Sequence, residues 1–164
     1  MSGPVAVIVL SRLEAAHLTA LTTQFTDLVA DTVDATADPA VARLVPDAYR
    51  DDADAAQEFR SLTEADLLHR RADDAALVLA SLLADGETLD PAQMDAGDAQ
   101  QEFAVALDAD HSGAWLRTLS ALRLVLASRL GIETEDDHDA DDQRYAIYDW
   151  LGYRLDGLVQ ALDA

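Results

Sequence analysis

The chain has 164 residues, with 32 acidic and 11 basic side chains, a formal net charge of −21, and half of its residues hydrophobic. This length suits one domain, and the apolar half is too large for a disordered acidic tail. No cysteine occurs, which excludes disulfides, thiolate metal sites and thiol redox sensing. The longest aliphatic run, Val5 to Leu10, is too short to span a membrane and follows no basic residue. We therefore expect a cytoplasmic domain without a membrane partner.

The charge has an unusual composition, because all eleven basic residues are arginine and aspartate outnumbers glutamate 25 to 7. Genome composition and adaptation to high salt both explain this bias, and the sequence does not separate them. Direct binding to nucleic acid is disfavoured, because phosphate contacts need clustered basic side chains and the densest group is Arg70-Arg71.

The chain opens with a predicted strand–helix unit over residues 4–34. The β-branched run Val5–Leu10 predicts a strand. Ser11 and Glu14 have the spacing of a capping box, so we expect a helix from Arg12 to Asp34. His17 falls on the apolar face of that helix and is expected in the core.

A connector and helices are predicted over residues 38–84. Pro39 stands at a first helical position and Pro46 ends that short piece. After an acidic connector, we expect a short helix over 53–60 and a longer one, capped by Thr63, that reaches Ala84.

The second half predicts a loop, a second strand–helix unit and a last helix. Residues 85–101 contain Gly and Pro and predict a long surface loop. A strand over 103–107 and a central, most buried helix over 113–130 form the unit 102–131, with Gly131 as the left-handed C-cap. An acidic loop over 132–142 then precedes a C-terminal helix within 143–162. Because a lone strand leaves its backbone groups without partners, we expect the two strands to pair.

The predicted fold class is therefore mostly α, a single domain with a helical bundle of about four main helices and a minimal two-stranded β-sheet.

No catalytic, metal or cofactor site is predicted from the motifs. Asp108 to Gly113 matches the opening of a calcium loop, but Leu119 stands where a bidentate glutamate is required. We interpret this stretch as a strand-to-helix turn capped by Asp110 or Ser112. The four histidines lie far apart in the sequence and form no ligand motif. An enzyme or metal-binding domain with a site assembled from distant His, Asp and Glu residues remains the alternative.

The C-terminal helix has aromatic residues away from its main apolar stripe. Trp150 and Tyr153 fall on a side with small residues, which indicates a second packing surface. That surface packs either inside the monomer or against a partner, since Trp and Tyr are favoured interface anchors. Trp150 and Tyr153 are our candidate interface residues.

Several short blocks occur in one order: Arg43-Leu-Val-Pro-Asp-Ala-Tyr-Arg50, Trp115-Leu-Arg117, Leu122-Arg-Leu-Val-Leu126 and Tyr148-Asp-Trp-Leu151. Over nearly the whole chain, the set resembles an actinobacterial domain-of-unknown-function family, number twenty-seventeen. The resemblance implies a mostly helical regulatory domain without assigned catalytic residues. One member of the family is described as an oxidation-sensing transcriptional regulator that acts through cysteines and a sigma factor. Because this chain has no cysteine, the thiol switch does not transfer to it.

The arginines of these blocks suggest a structural clamp that holds the connector after Pro46 against the central helix. An arginine at a largely apolar position usually pairs with a carboxylate or carbonyl group. The candidate clamp residues are Arg43, Pro46, Asp47, Tyr49, Arg50, Arg123 and Arg129.

We thus expect a non-enzymatic regulatory or adaptor protein that acts through protein–protein contacts in transcription or stress regulation. Its expected partner is a protein, either transcription machinery or a second copy, with no direct nucleic acid and no cofactor. An acidic module that mimics DNA is a third alternative. The oligomeric state is not predicted, and a homodimer remains one option.

Overall fold

A computed structural model describes residues 3–32, 37–45, 53–134, 139 and 141–163, with only the backbone of 53–62 described. The helices and strands in chain order are β1 (Ala6–Ser11), α1 (Arg12–Asp31), α2 (Pro39–Ala42), α3 (Ala53–Ser81), α4 (Ala96–Gln100), β2 (Glu102–Leu107), α5 (Ala109–Leu130) and α6 (Ala146–Asp163). The fold is mostly α, with four long helices and one two-stranded antiparallel sheet among the described residues, as predicted. None of the described helices has the length and apolar character needed to cross a bilayer.

The two strands pair in a register that runs from Ala6 opposite Leu107 to Ser11 opposite Glu102. Side chains alternate between the two faces of a strand. On the inner face Ile8, Leu10 and Leu107 are buried and join the main hydrophobic core. The predicted pairing is therefore confirmed, and the helices cover one face of the sheet.

Helix α1 begins with the predicted capping box. Its buried face contains Leu18, Phe25 and Val29. The buried Thr19 and Thr22 and the partly buried Thr26 each donate the hydroxyl proton to the carbonyl four residues earlier. His17 is exposed, so its prediction as a core histidine is wrong. It lies one position before Leu18, and a 100° step around the helix carries it to the solvent side.

Helix α3 is continuous from Ala53 to Ser81, so the predicted break before Thr63 is wrong. This segment has no proline or glycine, and nothing in it interrupts the backbone ladder. Thr63 lies inside the helix rather than at its start. A polar residue of the kind that favours an N-cap is therefore not sufficient to begin a helix here.

Residues 85–101 contain more local structure than a loop. A 3₁₀ turn covers Pro91–Gln93 and α4 follows. The side chains of Asp90 and Asp95 cap them, accepting hydrogen bonds from the backbone N–H groups of Ala92 at 2.9 Å and Asp98 at 2.8 Å. The aspartates supply acceptors to the first N–H groups of these turns, which stabilises even one-turn helices.

Helix α5 is the central element, and it packs against α2, α3 and α6. It starts at Ala109 rather than Gly113, because Asp108 is the N-cap and accepts a hydrogen bond from the backbone N–H of His111 at 2.8 Å. The prediction of Asp110 or Ser112 as the cap is therefore wrong. Trp115 is almost fully buried, as expected for the most buried helix.

Helix α5 ends at Leu130, and its C-cap Gly131 has a φ of 75°, in the left-handed region, as predicted. A 3₁₀ turn over Gln143–Tyr145 leads into α6, where Leu151 and Leu158 face the core. This layout places α6 beside β1 and the carboxyl end of α5 beside the start of α6.

Gly131→Ala should lower the free energy of unfolding by about 1 kcal/mol, because a residue with a Cβ atom disfavours positive φ. An added Cβ would meet no atom within 4 Å, so the loss is conformational. Gly157→Ala in α6 is the control, since its added Cβ also meets nothing and alanine favours helix by up to about 1 kcal/mol. Urea unfolding should show opposite signs, and a gain in stability from Gly131→Ala would contradict the argument.

Candidate interaction surface

Glu14 connects the start of α1 to the middle of α6. Its Oε1 accepts a hydrogen bond from the backbone N–H of Ser11 at 3.0 Å, which completes the capping box. Its Oε2 accepts one from Trp150 Nε1 and one from Arg154 Nη2, both at 2.6 Å. One carboxylate therefore satisfies three donors and joins the first and last long helices across the end of the sheet.

The pKa of Glu14 is lowered from its ordinary value. Burial by itself raises that pKa, but the hydrogen bonds from Arg154, the Ser11 backbone and Trp150 outweigh it, because they favour the ionised carboxylate. The contacts among α1, α6 and Glu14 therefore depend on a charged carboxylate.

The structure separates the two candidate interface residues. Trp150 is half-buried, packs against the main core and donates to Glu14. Tyr153 is 68% exposed. Arg154 lies near both rings, 5.9 Å from the Trp150 centroid and 5.3 Å from that of Tyr153. Trp150 thus has a structural contact inside the chain, whereas Tyr153 presents its ring to solvent. The role of either residue in partner binding stays a prediction.

The outer face of the sheet is exposed and apolar. Val5, Val7 and Val9 are each about half exposed, Val7 at 55%. Ala104 and Ala106 on β2 are also exposed, opposite Val9 and Val7. We call these five residues the open sheet face. This face was not predicted from the sequence, although one signal was present. Val5 to Leu10 is apolar at every position, so a strand with only one covered face must expose half of that run.

The two edges of the sheet differ. The N–H of Arg12 donates to the carbonyl of Gln101 at 2.9 Å. Arg12 and Gln101 are therefore a hydrogen-bonded pair, and such pairs alternate with non-hydrogen-bonded pairs along an antiparallel ladder. By this alternation Ala104 opposite Val9 and Ala106 opposite Val7 are non-hydrogen-bonded pairs. Both alanines consequently direct their N–H and C=O groups away from β1. No described residue forms a hydrogen bond with the outward N–H and C=O groups of these two alanines. On the opposite edge, the carbonyl of Val9 accepts a hydrogen bond from Arg154 Nη1 at 3.3 Å. The edge of β1 is therefore partly closed by α6, and that of β2 is open.

Arg129 holds the N-cap of α2. Its two terminal nitrogens donate to both carboxylate oxygens of Asp38, at 2.8 and 2.7 Å. Asp38 also accepts a hydrogen bond from the N–H of Ala40. The hydrogen bond from Arg129 keeps the pKa of Asp38 below its ordinary value and outweighs the effect of burial. This arginine therefore joins α5 to the start of α2.

Arg123 lies flat against α6. Its guanidinium carbon is 4.0 Å from the centroid of the Tyr148 ring, and its Nε donates to the Tyr148 carbonyl at 3.2 Å. A Cβ atom added at Gly152 would lie 2.8 Å from its Nη2. Glycine one helical turn after Tyr148 thus leaves the space that the guanidinium occupies. Arg123 joins α5 to α6.

The remaining candidate clamp residues divide between two regions. Arg43 is exposed, and its Nη1 donates to the Ile132 carbonyl at 3.5 Å, a long hydrogen bond. Pro46, Asp47, Tyr49 and Arg50 lie outside the described residues. A contact between the arginines and this connector therefore stays a prediction, while Arg123 and Arg129 demonstrably bind other partners.

The described histidines do not converge. His69 is exposed beside Asp73, at 3.6 Å, and His111 binds the carboxylate of Asp108 at 2.8 Å. Asp108 is the N-cap of α5, so His111 has a local partner in the same turn. His138 lies outside the described residues. Across the part of the chain that the structure describes, no group of three or more His, Asp or Glu side chains could hold a metal ion.

Trp150→Ala should lower the free energy of unfolding by about 2–4 kcal/mol, because it removes a packed ring and a hydrogen bond to Glu14. Tyr153→Ala should change it by less than about 0.5 kcal/mol, since the ring is exposed. Chemical denaturation of both variants measures the difference. Equal losses would show that Tyr153 also has a structural role.

Glu14→Gln should destabilise the protein by about 1–3 kcal/mol at neutral pH, because an amide NH₂ replaces one acceptor oxygen of the site. Glu14 has a lowered pKa in the folded state, so its contribution is complete above the unfolded pKa of about 4.3. The contribution is lost as pH falls through the lower folded value.

The free energies of unfolding of the native chain and of Glu14→Gln, measured from pH 7 to pH 3, should therefore become equal in acid. The exposed substitution Glu87→Gln is the control and should show no such convergence. A stability difference at position 14 that stays constant across this pH range would contradict the prediction.

No curated protein and no solved structure matches this chain. One family model, DUF2017, described as a domain of unknown function, matches residues 2–162. The match spans almost the entire sequence and confirms the resemblance found in its short blocks. The chain therefore belongs to the DUF2017 family.

Proposed function

We propose that this chain is a non-enzymatic regulatory or adaptor domain that binds a partner protein through the open sheet face. The observation behind this proposal is the exposed apolar surface of Val5, Val7, Val9, Ala104 and Ala106 on a chain with a net charge of −21. A contiguous apolar patch on an otherwise charged protein marks an interaction site. Burial of such a patch releases free energy of about 25 cal/mol per Å².

Tyr153 extends this patch onto α6. Val7, Val9 and Tyr153 line one shallow hollow of about 350 Å³, together with Arg154 and Gly157. An exposed tyrosine beside aliphatic side chains is a favourable anchor, since its ring buries a large area with few rotatable bonds. The hollow gives a partner side chain a place between the sheet and the helix.

The open edge of β2 offers backbone hydrogen bonds to the same partner. The N–H and C=O groups of Ala104 and Ala106 point away from β1, and a groove of about 580 Å³ separates this edge from the last turn of α3. An extended segment that pairs with an exposed edge gains main-chain hydrogen bonds, and side-chain pockets add specificity. Short alanines at the edge leave space for such a strand.

The charge of the chain favours a basic partner over a second copy. Two chains that each carry −21 repel one another, whereas a cationic protein is attracted at long range. We therefore propose a heterologous, basic partner protein in the cytoplasm, in transcription or stress regulation. Because the chain has no cysteine, its regulation does not use thiol oxidation.

Val7→Asp should weaken partner binding at least about tenfold, because it places a charge at the centre of an interface that must lose water. The protein is used as bait in extract from its native cell. The recovered partner is identified, purified and titrated against both forms by calorimetry, with circular dichroism to show that the variant folds.

Ile147→Asp is the matched control. Ile147 is 49% exposed, close to the value for Val7, but it lies in the first turn of α6 away from the sheet. An equal loss of affinity in both variants would show a general charge effect and would contradict the proposed surface. A dimer in sedimentation that Val7→Asp dissociates would replace the basic partner with a second copy.

A further inference from the structure

A further cavity lies at the opposite end of α5 from β2. It measures about 750 Å³ and shares no lining residue with the open sheet face. The end of α5, the turn after Gly131 and the start of α6 surround it. Its lining includes Arg43, Arg123, Leu124, Ala127, Ile132 and Tyr148.

Two arginines line this cavity without a carboxylate partner. Among the described residues, Arg43 and Arg123 form no ion pair with any acid, although Glu133 also lines the cavity. Five other arginines do hold a carboxylate within 4 Å: Arg70, Arg117, Arg129, Arg144 and Arg154. In a chain with 32 acidic residues, two guanidinium groups in one cavity without an ion pair to any described acid are available to an external anion.

Arg123 is held in one orientation before any ligand arrives. The Tyr148 ring, the Tyr148 carbonyl and the backbone at Gly152 restrain its guanidinium, as described above. The Nε–H is used by the carbonyl, while no described acceptor is bonded to the terminal nitrogens. A planar, restrained guanidinium loses little conformational entropy on binding an oxyanion and can donate two hydrogen bonds at once.

Besides the two arginines, Glu133 and Thr134, the lining is apolar, and this apolar part identifies the remainder of the ligand. Ala127 and Ile132 are buried at the cavity wall, and Leu124 and the Tyr148 ring are partly exposed. An inorganic ion would leave these surfaces wet, whereas an organic anion covers them. We propose that this cavity is a binding site for a small organic anion, with its carboxylate or phosphate group between Arg43 and Arg123 and its apolar part against α5. This proposal is independent of partner binding at the sheet.

Benzoate and phenyl phosphate are suitable probes, and inorganic phosphate and benzyl alcohol test the contribution of each part. Calorimetry and NMR of the arginine side chains should show saturable binding of one aromatic anion per chain. Binding of benzoate alone assigns a carboxylate ligand, and binding of phenyl phosphate alone assigns a phosphate ester. Benzyl alcohol and inorganic phosphate should each bind at least about tenfold more weakly.

Arg43→Gln should weaken anion binding about tenfold or more, and the exposed position of Arg43 leaves the fold intact. Gly152→Ala keeps both charges but displaces the Arg123 guanidinium, so it should also weaken binding several-fold. Arg71→Gln is the control, because Arg71 lies in a different groove that it shares with Asp73 and Asp74. It should change the affinity by less than about twofold.

Three results would overturn the proposal. One is the lack of saturable binding of either aromatic anion to the native chain at about 10 mM, where even weak sites fill. The second is equal binding of benzyl alcohol, which would show a merely apolar cavity. The third is an equal effect of Arg43→Gln and Arg71→Gln, which would show a general charge effect.

Discussion

The carboxylate of Glu14 is the interaction on which the rest of this structure depends. It lies at the junction of β1, α1 and α6, where three donors converge on two oxygens. The capping box starts α1 directly after β1, and Trp150 and Arg154 attach α6 to that same point. Because Arg154 also donates to the Val9 carbonyl, this one charge positions the helix that partly closes one edge of the sheet. Removal of the carboxylate would leave a partly buried guanidinium and an indole N–H without this shared acceptor.

The small size of the sheet has a direct consequence for the surface. With two strands and helices on one side only, the other side must present whatever residues alternate with the core positions. In this chain those residues are valine and alanine rather than charged side chains. A two-stranded sheet also has two edges, and here α6 approaches one of them while the other borders a groove. The acidic exterior and this apolar face are the two features on which the proposed basic partner protein rests.

The arginines show how a very acidic chain uses few positive charges. Arg129 joins α5 to α2, Arg117 joins α5 to α3 through Asp74, and Arg154 joins α6 to α1. Each of these pairs links two elements that are distant in sequence. Arg123 and Arg43 differ, because their contacts are an aromatic ring and carbonyl groups. Their guanidinium charges line a cavity with an apolar wall, which is the arrangement expected for recognition of an organic anion.

Local sequence by itself determined the elements whose signals act within a few residues. The capping box at Ser11 and Glu14, the left-handed end at Gly131 and the two strands all follow from backbone chemistry over short distances. Tertiary structure decided the partners of side chains, because one sequence position cannot reveal what packs against it. His17 lies in solvent, and Trp150 and Tyr153, predicted as one surface, separate into a structural contact and an exposed ring. Contacts between elements distant in sequence also give Glu14 a second role. Besides completing the cap of α1, it joins α1 to α6.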